Sequence, residues 1–254
     1  SPDERFNEDG LRILRALRFA SVLDFELDAD CADSVRRLKG LLGKISRERI
    51  YTETTKLLLG KGARRILSTF PEVISFIFPA LTEEMICRAA ALVERCPRDA
   101  EMRYAVLFSE LDAKEEERMI SSMKPSRAEK NAVLRYSEYE NYRNYLDGEY
   151  EVRRLISETD DGFVLSLTDM QLSRGVITDE EYAAVREMIS EIIEKNLPRK
   201  LSDLAVDGKT LMSIGYAGAD IGHELTRLLD DVMRGSCENT AEELSERARR
   251  DRTQ

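Results

Sequence analysis

Arg5-Phe6-Asn7-Glu8-Asp9-Gly10-Leu11-Arg12-Ile13-Leu14-Arg15-Ala16-Leu17-Arg18-Phe19-Ala20 sets apolar residues at helical spacing against an acidic pair and four arginines. Asn is a favoured helix cap, and carboxylates are stabilised in a first turn by the positive end of the macrodipole. Asn7 therefore reads as an N-cap, with Glu8 and Asp9 opening a helix that runs to about Val22. Asp9, Arg12, Arg15 and Arg18 recur every three residues, so each is the surface neighbour of the next.

The rest of the chain has the same character. It has 254 residues, 35% of them charged, with only 13 Gly and 6 Pro. Runs of strand-forming Val, Ile and Thr are nearly absent, which predicts an all-α protein. After the opening helix, periodicity predicts helices over 29–42 and 47–59 and a break at Gly60-Lys61-Gly62. Further helices are expected over 63–70, 82–96, 100–111, 113–123, 126–146, 149–159, 160–173, 178–196, 208–214 and 218–234, and a charged, fraying one over 239–254. The expected division is 1–62, 63–125 and 126–254. Tyr136, Tyr139, Tyr142 and Tyr145 fall at intervals of three in the helix over 126–146; aromatic platforms can stack on bases, but packing explains the series more simply.

The opening strip has a chemistry that can be derived from base edges. Cytosine and adenine present an amino donor beside a ring-nitrogen acceptor, whereas uracil and guanine present a carbonyl beside an N–H. A carboxylate only accepts and a guanidinium only donates. Asp9 beside Arg12 would therefore suit C and A and mismatch U and G, a difference of a few kcal/mol once desolvated. Glu8 would assist, while Arg15 and Arg18 suit phosphate oxygens. At ~1.5 Å per residue, Asp9 to Arg18 spans roughly 14 Å, about the reach of a nucleoside triphosphate.

Charge and cysteine usage narrow the possibilities. The net charge of −10 argues against broad nucleic-acid affinity, yet residues 1–65 hold 14 Lys or Arg against 11 Asp or Glu. Cys31, Cys87, Cys96 and Cys237 are too far apart for a metal or redox motif and read as reduced thiols. With His223 as the only histidine, neither a Ser-His-Asp triad nor a histidine-aspartate phosphohydrolase site is available; His223 itself reads as a surface residue. No apolar run reaches membrane-spanning length. Gly215 to Gly222 reads as a glycine turn between helices, either a tight packed turn or a close backbone approach to a phosphate.

The opening block resembles the "ED-x-x-R" motif of the class II tRNA nucleotidyltransferases, the CCA-adding enzymes, and their poly(A) polymerase relatives. Val22 to Asp28 is similar to that family's "LGF-x-hydrophobic-D", and Ile45 to Ile50 with Lys56-Leu57-Leu58 to its "IS-x-ERI…KLL". Leu204 to Lys209, Gly218 to Gly222, Leu228, Leu229, Val232, Gly235 and Asn239 resemble its tail. The resemblance implies an elongated neck (1–62), body (63–125) and tail (126–254). Asp9 and Arg12 then template CTP or ATP, assisted by Glu8, with Arg15 and Arg18 on the nucleotide. Lys200, Lys209 and Gly218 become the candidates for docking the tRNA. The implied location is cytoplasmic, and a homodimer is compatible with it.

The family holds Mg2+ on an Asp-x-Asp pair in an N-terminal head, after a glycine-rich strand. This chain is expected to be a portion of such an enzyme without that head. The only Asp-x-Asp here, at 28 and 30, follows the arginine helix and reads as a cap or polar loop. The chain is thus expected to contain neither catalytic residues nor a metal site, and not to catalyse alone. A poly(A) polymerase of the same superfamily and a non-catalytic RNA-binding module are the alternatives.

Overall fold

Ile13, Leu14 and Leu17, spaced along one helical face, are fully buried, while Arg15 and Phe19 on the opposite side are exposed. That amphipathic division organises the first half of the molecule. A computed structural model describes residues 1–252; among them are 16 α-helices and no strand, the all-α class that composition predicts. The helices form two compact units, Ser1–Asn141 with Asp169–Val176, and Tyr142–Thr168 with the residues from Ile177 onward.

In the first unit, α1 (Pro2–Glu8), α2 (Leu11–Leu23), α3 (Ala29–Leu38) and α4 (Arg47–Leu58) come first. They are followed by α5 (Ala63–Thr69), α6 (Pro71–Ile77), α7 (Glu83–Arg95), α8 (Ala100–Phe108), α9 (Ala113–Ser122) and α10 (Arg127–Tyr139). Asp28, Thr82, Asp99, Asp112 and Ser126 each stand before a helix and accept the backbone N–H three residues on. Local capping chemistry therefore sets those starts. α2 packs along α4, whose Ile50, Leu57 and Leu58 are buried with the α2 leucines. Phe78, Tyr104 and Phe108 continue the core; Tyr104 stacks on Tyr51 at 5.5 Å and is pinned by Thr55 at 3.2 Å.

The second unit contains α11 (Glu149–Glu158), most of α12 (Asp161–Arg174), α13 (Asp179–Glu194), α14 (Gly208–Ile214), α15 (Ala219–Met233) and α16 (Ala241–Arg252). Leu211, Leu228, Leu229, Val232, Leu244 and Ala248 form one core cluster within it. Arg153 is buried among the carbonyls of Pro198 and Met233.

Three expectations need correction. Asn7 does not cap the arginine helix; it lies inside α1 and its amide donates to the Asp3 carbonyl at 2.9 Å. The helix expected over 29–42 ends at Leu38 and tightens into a 3₁₀ turn, Lys39–Lys44, where Gly40 and Gly43 weaken α propagation. The helix expected over 126–146 ends at Tyr139, because the buried Gln171 amide captures the terminal carbonyls of Tyr139 and Glu140 and Asn144–Asp147 forms a separate 3₁₀ turn. The tyrosines pack as expected: Tyr136 and Tyr145 are buried, Tyr139 and Tyr142 half-buried.

Two buried ionisable groups make the stability of the first unit testable. Arg103, 3% exposed, donates to the carbonyls of Leu58, Cys96 and Pro97, joining the end of α4 to the start of α8. Arg103→Met strands three buried acceptors and is expected to cost roughly 3 kcal/mol in urea unfolding. Arg88→Ala, which breaks only an exposed pair with Glu110, should leave the midpoint near wild type. Burial pushes the Glu116 carboxyl up to about 7, opposed by the Ser137 hydroxyl that donates to it. Between pH 4.5 and 7 the folded chain keeps a proton that the unfolded chain has lost, so this group lowers stability as pH rises and then levels off. Glu116→Gln should abolish that slope and stabilise the protein at pH 8 by about 1–3 kcal/mol, with the difference vanishing near pH 4; equal urea midpoints at pH 8 would refute the assignment.

Candidate functional site

The arginine strip begins at a corner between two helices. α1 is opened by a capping box, Ser1 with Glu4, and tied to α3 through Asp3, which accepts from Ser34 at 2.5 Å and from Arg37 at 2.7 Å. Asp9 ends α1 in extended geometry, and Gly10 starts α2. Gly10 lies so close to the 3₁₀ turn that an added Cβ would be 2.9 Å from the Leu41 Cβ. Packing therefore fixes the corner, and with it the direction in which Asp9 points. The Asp9 carboxylate accepts the Leu11 N–H at 3.0 Å just ahead of α2, whose N-cap is Gly10 and not Asn7.

The five candidate residues of this strip divide among several partners. The second Asp9 oxygen accepts from Arg49 of α4 at 3.3 Å. Arg12 uses one terminal nitrogen for the Glu8 carboxylate and for the Arg5 carbonyl at 3.1 Å. The Arg12 and Arg5 guanidiniums hold the Glu8 carboxyl below the usual carboxylate range. Arg15 is exposed and has no hydrogen bond or ion pair among the described residues. Arg18 is different: it is half-buried, its Nε stands 3.0 Å from Glu53 Oε2, and its guanidinium lies over the Phe19 ring at 3.9 Å.

Asp9 and Arg12 do not bond to each other, yet neither is spent. Their side chains are 33% and 40% exposed. Each Asp9 oxygen has a second lone pair, and the Arg12 Nε and other terminal nitrogen have no partner among the described residues. The corner thus keeps unused acceptors on Asp9 and unused donors on Arg12, both reached by solvent.

Sequence reasoning missed Arg49 and Glu53, one turn apart on α4, which contact Asp9 and Arg18 from across the α2–α4 seam. Their spacing of four on a helix preceding Lys56 was the available signal. That seam is closely bonded: Ser21 Oγ donates to the Leu57 carbonyl at 2.7 Å and Gly62 N–H to the Ser21 carbonyl at 2.8 Å. At Gly60 an added Cβ would be only 2.2 Å from Ser21 Oγ.

The remaining candidates lie elsewhere. In the second unit, Lys200 is exposed with its ammonium 3.4 Å from Asp161, Lys209 is exposed on α14, and Gly218 starts α15 with φ 57°. No hydrogen bond or ion pair joins these three among the described residues. His223 is exposed, as expected. Asp28 caps α3 through the Cys31 N–H at 2.9 Å, and no group of three or more His, Cys, Asp or Glu is placed to hold a metal ion among the described residues. The residues present do not fit a magnesium pair.

Comparison with known proteins bears on this arrangement. Residues 24–85 match the family model described as a probable RNA and SrmB-binding site of polymerase A. The CCA-adding enzyme of Lactococcus lactis subsp. cremoris is 52% identical over 69 residues, 27% of this chain and 17% of that enzyme. That of Bacillus pumilus is 30% identical over 257 residues, covering 96% of this chain and 60% of its own length. The chain spans about three fifths of the curated relatives it matches end to end. Among solved structures, the Bacillus stearothermophilus CCA-adding enzyme in complex with CTP superposes with TM-score 0.79 at 22% identity, over 99% of this chain and 64% of that one, a likeness of fold. Similarity to CCA-adding enzymes, at 27–30% identity, thus runs nearly the whole length of the chain, and its all-α fold is shared with a solved enzyme of that kind.

Proposed function

We propose that this chain supplies the nucleotide-selecting and tRNA-docking part of a CCA-adding tRNA nucleotidyltransferase. The observation that carries the proposal is the α1–α2 corner, where Asp9 keeps free lone pairs and Arg12 keeps free N–H groups at neighbouring, solvent-reached positions. An acceptor beside a donor complements the amino-plus-ring-nitrogen edge shared by cytosine and adenine and opposes the edges of uracil and guanine. The Glu8 carboxylate holds the Arg12 guanidinium from its other side and so orients it. Arg15, exposed and unpaired, suits the phosphates, whereas Arg18 acts mainly by holding α2 to α4 through Glu53. The relative solved with CTP and the family description naming RNA support these substrate classes.

In this proposal the magnesium-dependent transfer step belongs to residues outside this sequence, since Asp28 is committed to a helix cap. Lys200, Lys209 and the Gly218 turn serve as tRNA contacts, and the working place of the protein is the cytoplasm, with its tRNA pool. No helix among the described residues is long and apolar enough to cross a membrane. The family model's naming after polymerase A favours one other reading, addition of A alone, by the same corner.

Two measurements on the active enzyme test the proposal. With tRNA lacking its CCA end, Arg12→Ala and Asp9→Ala are each expected to lower kcat/KM for CTP and ATP by about 10- to 100-fold and to relax rejection of UTP and GTP; unaltered selectivity excludes templating by this pair. Supplying CTP alone and ATP alone separates the readings. Incorporation of C before A indicates CCA addition, A-only extension indicates a poly(A) polymerase, and no incorporation with intact RNA binding indicates a non-catalytic module.

A further inference from the structure

The C-terminal end of α2 forms, with the end of α4 and the approach to α8, an open pocket lined by Arg18, Val22, Lys56, Leu59, Gly60, Lys61 and Arg98. Four of these seven residues are cationic and none is acidic. Lys56, Lys61 and Arg98 are exposed and form no hydrogen bond or ion pair among the described residues. Most other cations of the first unit are matched with carboxylates, as Arg36 is with Glu72, Arg64 with Glu94 and Arg88 with Glu110. In a chain of net charge −10, three unmatched cations converging from separate elements constitute a local positive field that the protein itself does not neutralise.

We infer that this pocket binds a backbone phosphate of the RNA, a contact separate from the Asp9–Arg12 corner. The pocket walls are rigid because Gly60 is wedged against Ser21 and Gly62 is bonded to the Ser21 carbonyl, so the cations project from a fixed base. Val22, 43% exposed, and Leu59 supply an apolar strip between the charges that suits a ribose face. Ammonium groups on flexible stems act as point charges toward phosphate and need no fixed fork. The lining carries no carboxylate that would repel a backbone phosphate. Val22 lies ten residues beyond Arg12 on α2, about 15 Å along the axis, so a strand whose end is read at the corner can reach the pocket with a phosphate a few nucleotides back.

The inference rests on the proposed RNA-docking function, and one experiment separates their failures. Binding of fluorescein-labelled tRNA lacking CCA is followed by anisotropy across a series of NaCl concentrations, with CTP binding measured by calorimetry on the same proteins. Lys61→Ala and Arg98→Ala are each expected to weaken tRNA binding about 3- to 10-fold and to reduce the slope of log affinity against log salt by about 1. Lys61→Arg should restore both, while CTP affinity and melting temperature stay at wild-type values. If wild type binds tRNA and both alanine variants bind equally well with an unchanged slope, the pocket is not an RNA site although the docking function stands. Loss of CTP affinity in place of tRNA affinity would assign the pocket to the nucleotide's phosphates and overturn the inference. A wild-type protein with no tRNA affinity would overturn both.

Discussion

The seam between α2 and α4 is the constraint on which the rest of the first unit depends. It combines an apolar face, Ile13, Leu14 and Leu17 with Ile50, Leu57 and Leu58, with a short polar stitch in which Ser21 bonds the Leu57 carbonyl. Gly60 lets the chain leaving α4 pass against Ser21, where any side chain would collide. A misplaced seam would move Arg49 away from Asp9 and Glu53 away from Arg18 together. Buried Arg103 extends the same logic by gathering the carbonyl at the end of α4 into the start of α8.

Charge is distributed along α2 according to depth. Arg18, half-buried, is matched by Glu53 and covers Phe19, as expected for a cation whose desolvation must be offset. Arg12 is shared between Glu8 and a carbonyl, and Arg15 is exposed with no ion pair among the described residues. The strip therefore grades from structural to available, and the available end adjoins the Asp9 corner. Past the structural end, the unmatched Lys61 and Arg98 provide a second cationic position. The acidic surplus lies in the remainder of the chain, where groups such as Arg227 with Glu224 and Asp231 neutralise one another.

Much of the fold was legible because its signals are local. Asp28 caps α3 as the sequence suggested, the helices expected from 82, 100, 113 and 126 begin within one residue of those positions, and apolar periodicity identified the buried face of α2. At the end of α10 and at Gly10 the deciding contact is non-local. Gln171, more than thirty positions away in sequence, ends α10 by taking its carbonyls, and Leu41 requires glycine at position 10. Assigning the cap to Asn7 failed because α1 already contains it and α2 starts only after Gly10.

The sequence by itself determined the all-α class, the family resemblance and the spacing of Asp9, Arg12, Arg15 and Arg18, since all of these are written in runs of a few residues. Only tertiary structure decided which carboxylate each arginine meets, which cations stay unmatched, and that Asp9 sits on a corner instead of within a helix. The physical reason is distance along the chain: Asp9 meets Arg49 forty residues away, and Lys61 and Arg98 share a pocket although thirty-seven residues separate them. Helical periodicity places a side chain on a face, but the packing of α2 against α4 selects what that face encounters.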